Sequence, residues 1–442
     1  MEAVAEQKSV YLQDFQQRDR ASEPTWWGTR RETAMQRFEA AGFPSRKVEA
    51  WKQTKLAHVT QEHFRAAASA GQLDQDAQSR LAVVDDAVRI VFVDGILDAD
   101  RSQLDRLPDG LTVRTLADAL QESGGVAETH LARHADAEAH PFLALNTAFT
   151  TEGLVIEVGS GAAPAQPLEL VHVMTADAGS VAAWPRVLIH GATSSEVTVV
   201  QRYFGADGTA YMTSPVTEIV ADANSQVNFY QHVEEGDQGA HLGVIHATVD
   251  RDARINGHAL HASGRTVRTD FYVNLDGPGG DATLNGLYLV RNGQFADIHT
   301  WVRHNADHCT SQQLMKGVLE GKSEAVFDGM IHVARDAQQT DADQQNRNLL
   351  LSPKALAHSN PRLEIYADDV KCGHGSTVGE LDEDAVLYMR TRGVSDEEAR
   401  GVLTFAFANE MLESVALQSL REYEREALLS LLPGEEAVRK LL

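Results

Sequence analysis

The chain has 442 residues, of which 43% are hydrophobic and 23% charged, and these proportions are ordinary for a globular protein. Its formal net charge of -25 argues against nucleic acid or an anionic membrane as a partner, because phosphate groups require clustered Lys and Arg. Two cysteines are too few for a disulfide framework, and no apolar run reaches the ~18 residues of a membrane span.

The first 150 residues are predicted to form a mostly helical N-terminal domain. The opening segment, MEAVAEQKSVYLQDF, has no basic region followed by an apolar stretch, so we expect a cytoplasmic protein. Residues 31–41 (RETAMQRFEAA) have a helical composition and are followed by Gly42 and Pro44, which end helices. Further along lie RKVEAWKQTKL at 46–56, a predicted buried strand with an Asp-Gly turn at 89–97, and helical patterning over 116–148.

Residues 151–378 are predicted to form a long series of short strands. Segments such as LVIEV, LELVHVM, RVLIH, VTVVQRY and VNFYQHV recur at short intervals, each bounded by Gly, Asp, Asn, Ser or Pro. No ordinary amphipathic helix separates them, which disfavours βαβ units. A sandwich, a large barrel and a β-solenoid all stay open. Val, Ile, Leu, His and Asn at the inward positions favour the stacked coils of a parallel β-helix, although no strict repeat is present.

Residues 379–442 are predicted to form a helical C-terminal domain. Asp382 can cap a helix that stops at Gly393, and Ser395 with Glu398 makes a capping box for a longer second helix. A third helix is predicted over about residues 420–432. An apolar stripe at i,i+4 spacing follows the second helix through Leu403, Phe407, Met411 and Val415.

The strongest chemical signal is the run LEIYADDVKCGHGSTVG, residues 363–379. It places Cys372 two positions before His374, with a glycine on either side of the histidine. Thiolate and imidazole suit soft or borderline transition metals. Because two side chains cannot complete a coordination shell, the pattern indicates a site shared with another chain. A buried thiol beside a hydrogen-bonded histidine is the alternative interpretation.

A second ligand-rich region, IHTWVRHNADHC, contains His299, His304, His308 and Cys309. Structural use of these side chains within the strands is the favoured interpretation. The same histidines nevertheless define a rival hypothesis, a metal-dependent β-helix enzyme that acts on carbohydrate. The run GVLEGKS at 317–323 resembles a P-loop, but one residue is missing between its glycines and strands flank it. We therefore expect a β-turn there and no ATPase.

Taken together, these segments resemble a known protein family. The run NRNLLLSPKALAHSNPRLEIYADDVKCGHGSTVGELDEDAVLYMRTRGV is similar to the signature of the SufB/SufD family of the SUF iron–sulfur cluster assembly system. The segments RKVEAWKQTKL and HTWVRHNADHCTSQQLMKGVLEGKSEAVFDGMIHV support the resemblance, which covers nearly the whole chain. SufB-type members have a cysteine directly after the tyrosine of LYMRTRG. Met389 stands there in this chain, so the resemblance is to the SufD type.

The resemblance implies a right-handed parallel β-helix over residues 151–378, flanked by helical domains at 1–150 and 379–442. It also implies a non-catalytic scaffold subunit with no catalytic residues of its own. The expected partners are SufB, as a heterodimer through the β-helix ends, and the SufC ATPase, docked on the C-terminal helices. A homodimer is compatible with the isolated chain, whereas no nucleotide, nucleic acid or membrane is expected to bind it.

The resemblance also assigns residues. A nascent iron–sulfur cluster or iron would be held jointly with SufB, and His374 is the first choice of ligand, followed by Cys372. The residues expected to contact SufC are Arg390, Arg392, Phe405, Phe407 and Met411.

Overall fold

A computed structural model describes residues 2–21, 23–133 and 140–441. Residues 134–139, within the predicted helical stretch 116–148, lie outside this description. Across the described residues, the helices are all too short or too polar to cross a lipid bilayer.

The N-terminal segment is helical, as predicted. It contains α1 (Glu2–Gln16), α2 (Thr25–Ala41), a 3-10 turn (Glu49–Trp51), α3 (Ala57–Thr60) and α4 (Gln75–Ser79). Helix α2 ends at Gly42, whose φ of 67° lies in the left-handed region that glycine adopts most readily. Trp51 is buried and packs under the guanidinium of Arg268, 3.6 Å from the ring centroid. The segment 46–56 is thereby fixed to the strands.

In the described part of the chain before residue 150 there are three strands. They are β1 (Val88–Val93), β2 (Ile96–Asp98) and β3 (Leu111–Thr115), and the helices α5 (Leu116–Leu120), α6 (Val126–His130) and α7 (Pro141–Phe149) follow. The turn between β1 and β2 has positive φ at Asp94 and Gly95, which confirms the predicted Asp-Gly hairpin. Because β1 and β3 join the two large sheets, those sheets reach back into segment 1–150. The division into three domains stays a prediction.

The centre of the molecule is a parallel β-solenoid of about 8 turns, which confirms the predicted mainly β fold with flanking helices. Its right-handed coiling stays a prediction. The strands are β4 (Gly153–Val158), β5 (Leu168–Met174), β6 (Ala182–Ala183), β7 (Arg186–Gly191), β8 (Glu196–Gly205), β9 (Met212–Thr213), β10 (Val216–Ala221), β11 (Gln226–Glu234), β12 (Ala240–Val249), β13 (Arg254–Ser263), β14 (Thr266–Leu275), β15 (Asp281–Val290), β16 (Phe295–His304), β17 (Thr310–Leu319), β18 (Glu324–Val333), β19 (Asp341–Leu350), β20 (Leu356–Ile365) and β21 (Lys371–Gly379).

Successive strands alternate between two facing sheets. The first sheet has the order β2-β1-β5-β8-β11-β13-β15-β17-β19-β21, and the second has the order β20-β18-β16-β14-β12-β10-β7-β4-β3. Each strand therefore pairs in parallel with the strand one coil away, as when Thr266 aligns with Phe295 and Phe295 with Glu324. At the N-terminal end the sheets stop at β2 and β3, which run antiparallel to their neighbours. At the C-terminal end they stop at β20 and β21.

One corner of the coils repeats a single backbone conformation. One residue per coil has a φ between 56° and 73°, and its amide donates to a carbonyl of the next coil. Small polar residues and glycine tolerate this left-handed conformation, which explains the Gly, Asp, Asn and Ser between the strand segments. The residues at this corner are Ser194, Asn224, Asp252, Gly279, His308 and Gln339.

Four helices follow the last strand. They are α8 (Glu383–Arg390), α9 (Asp396–Glu413), α10 (Gln418–Leu429) and α11 (Glu435–Leu441). The Ser395–Glu398 capping box at the start of α9 is confirmed. Helix α9 packs on the outer face of the first sheet against Leu287 and Leu289. Of the predicted stripe only Met411 and Val415 are fully buried, because the helix turns Ala408 and Leu412 rather than Leu403 and Phe407 towards the sheet.

A buried carboxylate ties helix α10 to the solenoid. Glu424 is 0% exposed, and its carboxylate lies 3.1 Å from Nε2 of His258 and 3.6 Å from Nδ1 of His232. Burial alone would raise the pKa of Glu424. The charges of the two histidines and the hydrogen bond to His258 outweigh burial and lower the pKa to about 2. The ionised carboxylate therefore stabilises the folded chain.

We expect Glu424→Gln to lower the free energy of unfolding by about 3 kcal/mol near pH 6, because it leaves the buried His258 without its carboxylate partner and His232 with Glu234 alone. The folded pKa of Glu424 lies below its ordinary value of 4.5, so its contribution is complete above that pH and disappears as the pH falls towards 2. Urea denaturation of both chains measures the difference. The difference in unfolding free energy between the two chains should become smaller below pH 4.5. A difference that does not change with pH would contradict the stabilising role of the ionised Glu424.

Candidate interface and metal site at the end of the solenoid

The last coil leaves both sheets with an open edge. Strand β20 pairs only with β18, and β21 pairs only with β19. Of the seven large hydrophobic side chains that are exposed among the described residues, four lie in or directly after these strands. Open edges with exposed apolar side chains are typical of surfaces that pair with another chain. The four are Leu356 (54% exposed), Ile365 (38%), Tyr366 (59%) and Val378 (47%).

The two edges differ in their capacity to accept a further strand. The amide of Lys371 donates to the carbonyl of Thr340, directly before β19. Because backbone direction alternates along a strand, the amides of residues 372, 374, 376 and 378 point to the open side. On β20 the amide of Leu356 donates to Ser323, so Pro361 lies at a position that faces outward. Proline has no N–H and interrupts that edge. The edge of β21 is continuous.

His374 and Cys372 both face the interior between the sheets. In the parallel register Cys372 aligns with Ala342 and His374 with Gln344, and both of these β19 side chains are buried. Cys372 is half-buried and packs with the apolar cluster that includes Ile331. His374 is exposed although its position is an interior one, because no further coil covers it.

The electrostatics distinguish the two candidate ligands. Burial raises the pKa of the Cys372 thiol, and the carboxylate of Asp341 raises it further, so the thiol stays protonated at neutral pH. A metal or a cation would have to lower that pKa before the sulfur could ligate. The imidazole of His374 has no side-chain hydrogen bond to any residue that the structure describes.

Neither side chain can form a closed metal site within this chain. As i and i+2 residues of one strand they lie on the same face, with their Cα atoms roughly 7 Å apart. Nowhere in the described ranges do three or more His, Cys, Asp or Glu side chains come together as potential ligands. The pair can therefore supply only part of a coordination shell.

The sequence interpretation missed several polar residues around His374. Gln313, Gln344 and His374 form one inward-facing column through β17, β19 and β21. Beside it, the hydroxyl groups of Ser376 and Ser359 lie 2.7 Å apart and connect β21 to β20. The sequence of β19, DADQQNRNLL, could have indicated these residues. Its inward-facing side chains are polar at positions where earlier strands have apolar ones.

The predicted SufC-contact residues lie in two different environments. Phe405 is 6% exposed and Met411 1%, and both pack in the cluster between α9 and the first sheet. Their burial leaves no surface for a partner. Phe407 is half-buried under the ammonium of Lys316, 4.7 Å from its ring centroid.

The exposed surface of this helical segment lies on α8 instead. Leu387 and Tyr388 are 56% and 57% exposed. Arg392 lies over the ring of Tyr388 at 4.5 Å, and Arg390 forms an exposed ion pair with Asp396 at 3.4 Å. The two predicted arginines therefore flank an apolar surface that the sequence interpretation did not assign.

Comparison with known proteins decides the family. A sequence model of the SUF system FeS cluster assembly SufBD core domain matches residues 172–407, and one of the SufBD protein N-terminal region matches residues 5–170. This chain belongs to the SufBD family. It is 31% identical over 405 residues to the iron-sulfur cluster assembly protein SufD of Escherichia coli (strain K12), covering 90% of this chain and 92% of that protein.

A second SufD, from Bacillus subtilis (strain 168), is 23% identical over 421 residues, which are 93% of this chain and 95% of that protein. An iron-sulfur cluster assembly SufBD family protein of Synechocystis is 27% identical over 396 residues, 87% of each chain. The predicted resemblance is thereby confirmed, and the chain is an iron–sulfur cluster assembly protein of the SufD type.

The second ligand-rich region does not form a site in this SufBD chain. His299 lies on the outer face of β16, 2.9 Å from Asp297, whereas His304 is buried in the interior and pairs with the hydroxyl of Ser311 at 2.9 Å. His308 occupies the left-handed corner of its coil with a φ of 57°. The three imidazoles that the rival enzyme hypothesis requires thus lie in three separate environments.

Cys309 and the run GVLEGKS, which resembles a P-loop, have structural roles in this chain. Cys309 is buried, with its thiol 3.4 Å from the carbonyl of Gly277. The run GVLEGKS covers the end of β17 and a turn at Gly321, whose φ is 66°, and strand β18 follows. The predicted β-turn is confirmed, and no helix begins there as a P-loop would require.

Proposed function

We propose that this SufBD chain is a non-catalytic scaffold subunit that pairs with SufB through its last coil and holds the SufC ATPase on its C-terminal helices. The observation that carries the proposal is the uncovered last coil. There, interior positions of the fold, including those of His374 and Val378, are exposed to solvent. A solenoid that functions alone would need a polar terminal coil to cover them.

A partner strand added to the continuous edge of β21 would satisfy the outward-pointing amides and cover the exposed apolar side chains. Main-chain hydrogen bonds supply affinity in such pairing, and the side-chain positions supply specificity. SufB is the proposed partner because the SufD type lacks the cysteine that SufB-type members have after the tyrosine of LYMRTRG. In the absence of SufB the same edge can pair with a second copy of this chain.

Iron or a nascent iron–sulfur cluster is the proposed cargo of this contact. His374 is the first ligand because its imidazole is exposed on the last coil and makes no side-chain hydrogen bond to the residues that the structure describes. Cys372 is second, because its thiol is half-buried and has a raised pKa. An incomplete shell suits a transient cluster, since a closed four-ligand cage would retain it. Both cysteines are free, which fits a reducing compartment.

The proposed contact for SufC is the exposed surface of α8 formed by Leu387 and Tyr388, together with the flanking Arg390 and Arg392. Two neighbouring exposed apolar side chains beside arginines have the composition of an interface centre.

We expect the double change Leu387→Asp/Tyr388→Asp to abolish co-purification with SufC when the two proteins are expressed without SufB. Both side chains are exposed in the isolated chain, so its fold and thermal stability should not change. Val48→Asp is the matched control, because Val48 is 47% exposed in the N-terminal segment. Undiminished SufC binding by the double variant would refute the docking assignment.

A further inference from the structure

A cavity of about 770 Å³ lies between the N-terminal segment and the solenoid, formed by elements other than the last coil. Its walls come from α1, the segment 41–60 and the turns that precede β14 and β16. The basic residues that line it are Lys8, Arg46, Lys55, His58 and Arg265. None of its described lining residues is Asp or Glu, although the chain has 64 acidic and 39 basic residues. The cavity is therefore a local positive region in an acidic protein.

Most of this positive charge is not neutralised by the protein. Lys55 is paired with Glu324, 2.6 Å from its ammonium. The guanidinium of Arg265, by contrast, donates to the neutral side chain of Gln238 at 3.1 Å. Lys8 and Arg46 make no ion pair with the part of the chain that the structure describes. Three uncompensated cations around one cavity favour an anionic ligand.

A buried polar atom also lacks a partner. Nε2 of His58 is inaccessible to solvent and has no hydrogen bond, and such atoms are rare in folded proteins. Burial and the charge of Arg265 lower the pKa of His58 to about 4, so its ring is neutral at physiological pH. His58 therefore adds no charge to the cavity, and its Nε2 lies behind the wall rather than at the cavity surface.

The rest of the wall combines apolar side chains with four Ser and Thr side chains. Phe43, Trp51 and Leu56 are buried side chains of the lining. A volume of this size, with apolar side chains and convergent polar groups in its walls, is typical of small-molecule sites. Because planar guanidinium groups and several positive charges match phosphate oxygens, we propose that this cavity binds a phosphorylated small organic molecule.

The test is calorimetric titration of the full-length chain with AMP, and with pyrophosphate as the probe that lacks an organic part. We expect AMP to bind with one site per chain. The variant Arg46→Gln/Arg265→Gln should weaken AMP binding at least tenfold, because each guanidinium supplies a charge-assisted hydrogen bond.

Arg106→Gln is the matched control, since Arg106 is an exposed arginine on the loop between β2 and β3. Thermal denaturation of each variant establishes that it is folded. Equal weakening by the control, or failure of AMP to bind at millimolar concentration, would overturn the proposal. So would pyrophosphate binding as tightly as AMP. None of these results bears on the pairing with SufB, which uses a different surface.

Discussion

Val378→Asp should abolish the complex with SufB while the isolated chain stays folded. Val378 aligns with the buried Asn348 and therefore faces the interior, yet it is 47% exposed because no coil follows it. A carboxylate at this position is hydrated in the free chain. It would be buried without a counter-charge once a partner strand covers the coil, which costs about 3 kcal/mol or more and weakens binding over 100-fold.

The neighbouring residue provides a strict control. Thr377 lies on the same strand, aligned with Arg347, but its side chain faces the outer surface. Thr377→Asp introduces the same charge at the same edge without burying it, so we expect pairing to persist. Co-expression followed by size-exclusion chromatography measures both variants. If Val378→Asp still forms the complex, the last coil is not the contact surface.

The second large expected effect is a loss of iron–sulfur cluster formation. We expect His374→Ala to preserve the complex with SufB and SufC and to lower cluster formation at least about tenfold, since loss of an outer-shell partner alone costs 10- to 100-fold in many metal sites. The complex stays intact because the imidazole makes no side-chain hydrogen bond within the described chain. Anaerobic absorption and Mössbauer spectroscopy of the purified complex measure the cluster yield.

A histidine on the same coil serves as the control. His358 lies on the outer face of β20, paired with Glu324 at 3.2 Å, and does not face the interior. His358→Ala should therefore leave the cluster yield unchanged. Cys372→Ala should reduce the yield less than His374→Ala does. A normal cluster yield from His374→Ala would remove the ligand assignment while leaving the scaffold role intact.

The sequence was sufficient to predict the local elements, because each depends on nearby residues. The Asp94–Gly95 hairpin, the end of α2 at Gly42 and the Ser395–Glu398 capping box are all confirmed. Each is determined within a few positions by positive φ or by side-chain hydrogen bonds to the backbone.

The arrangement of these elements could not be read in the same way. Strand pairing joins residues about one coil apart without a strict repeat, so a sandwich and a barrel fitted the same pattern of segments. The sequence also does not show which residues of a helix are buried and which are free to contact a partner. The helix face that carries Phe405, Phe407 and Met411 was expected to contact a partner. The sheet beneath α9 buries two of them instead, and α8 exposes Tyr388. Contacts such as that of Glu424 with His258 join residues too distant in sequence to be paired by spacing.

The two ends of the solenoid differ, and this difference limits how many molecules can stack. At the N-terminal end the sheets finish in β2 and β3, which both run antiparallel to their neighbours. Strand β2 has only three residues, and on β3 Arg114 forms ion pairs with Glu122 and Glu157. Short, charged edges accept further strands poorly. Head-to-tail growth needs two complementary ends. If the last coil is the pairing surface, we therefore expect this chain to close as a pair and not to extend into a filament.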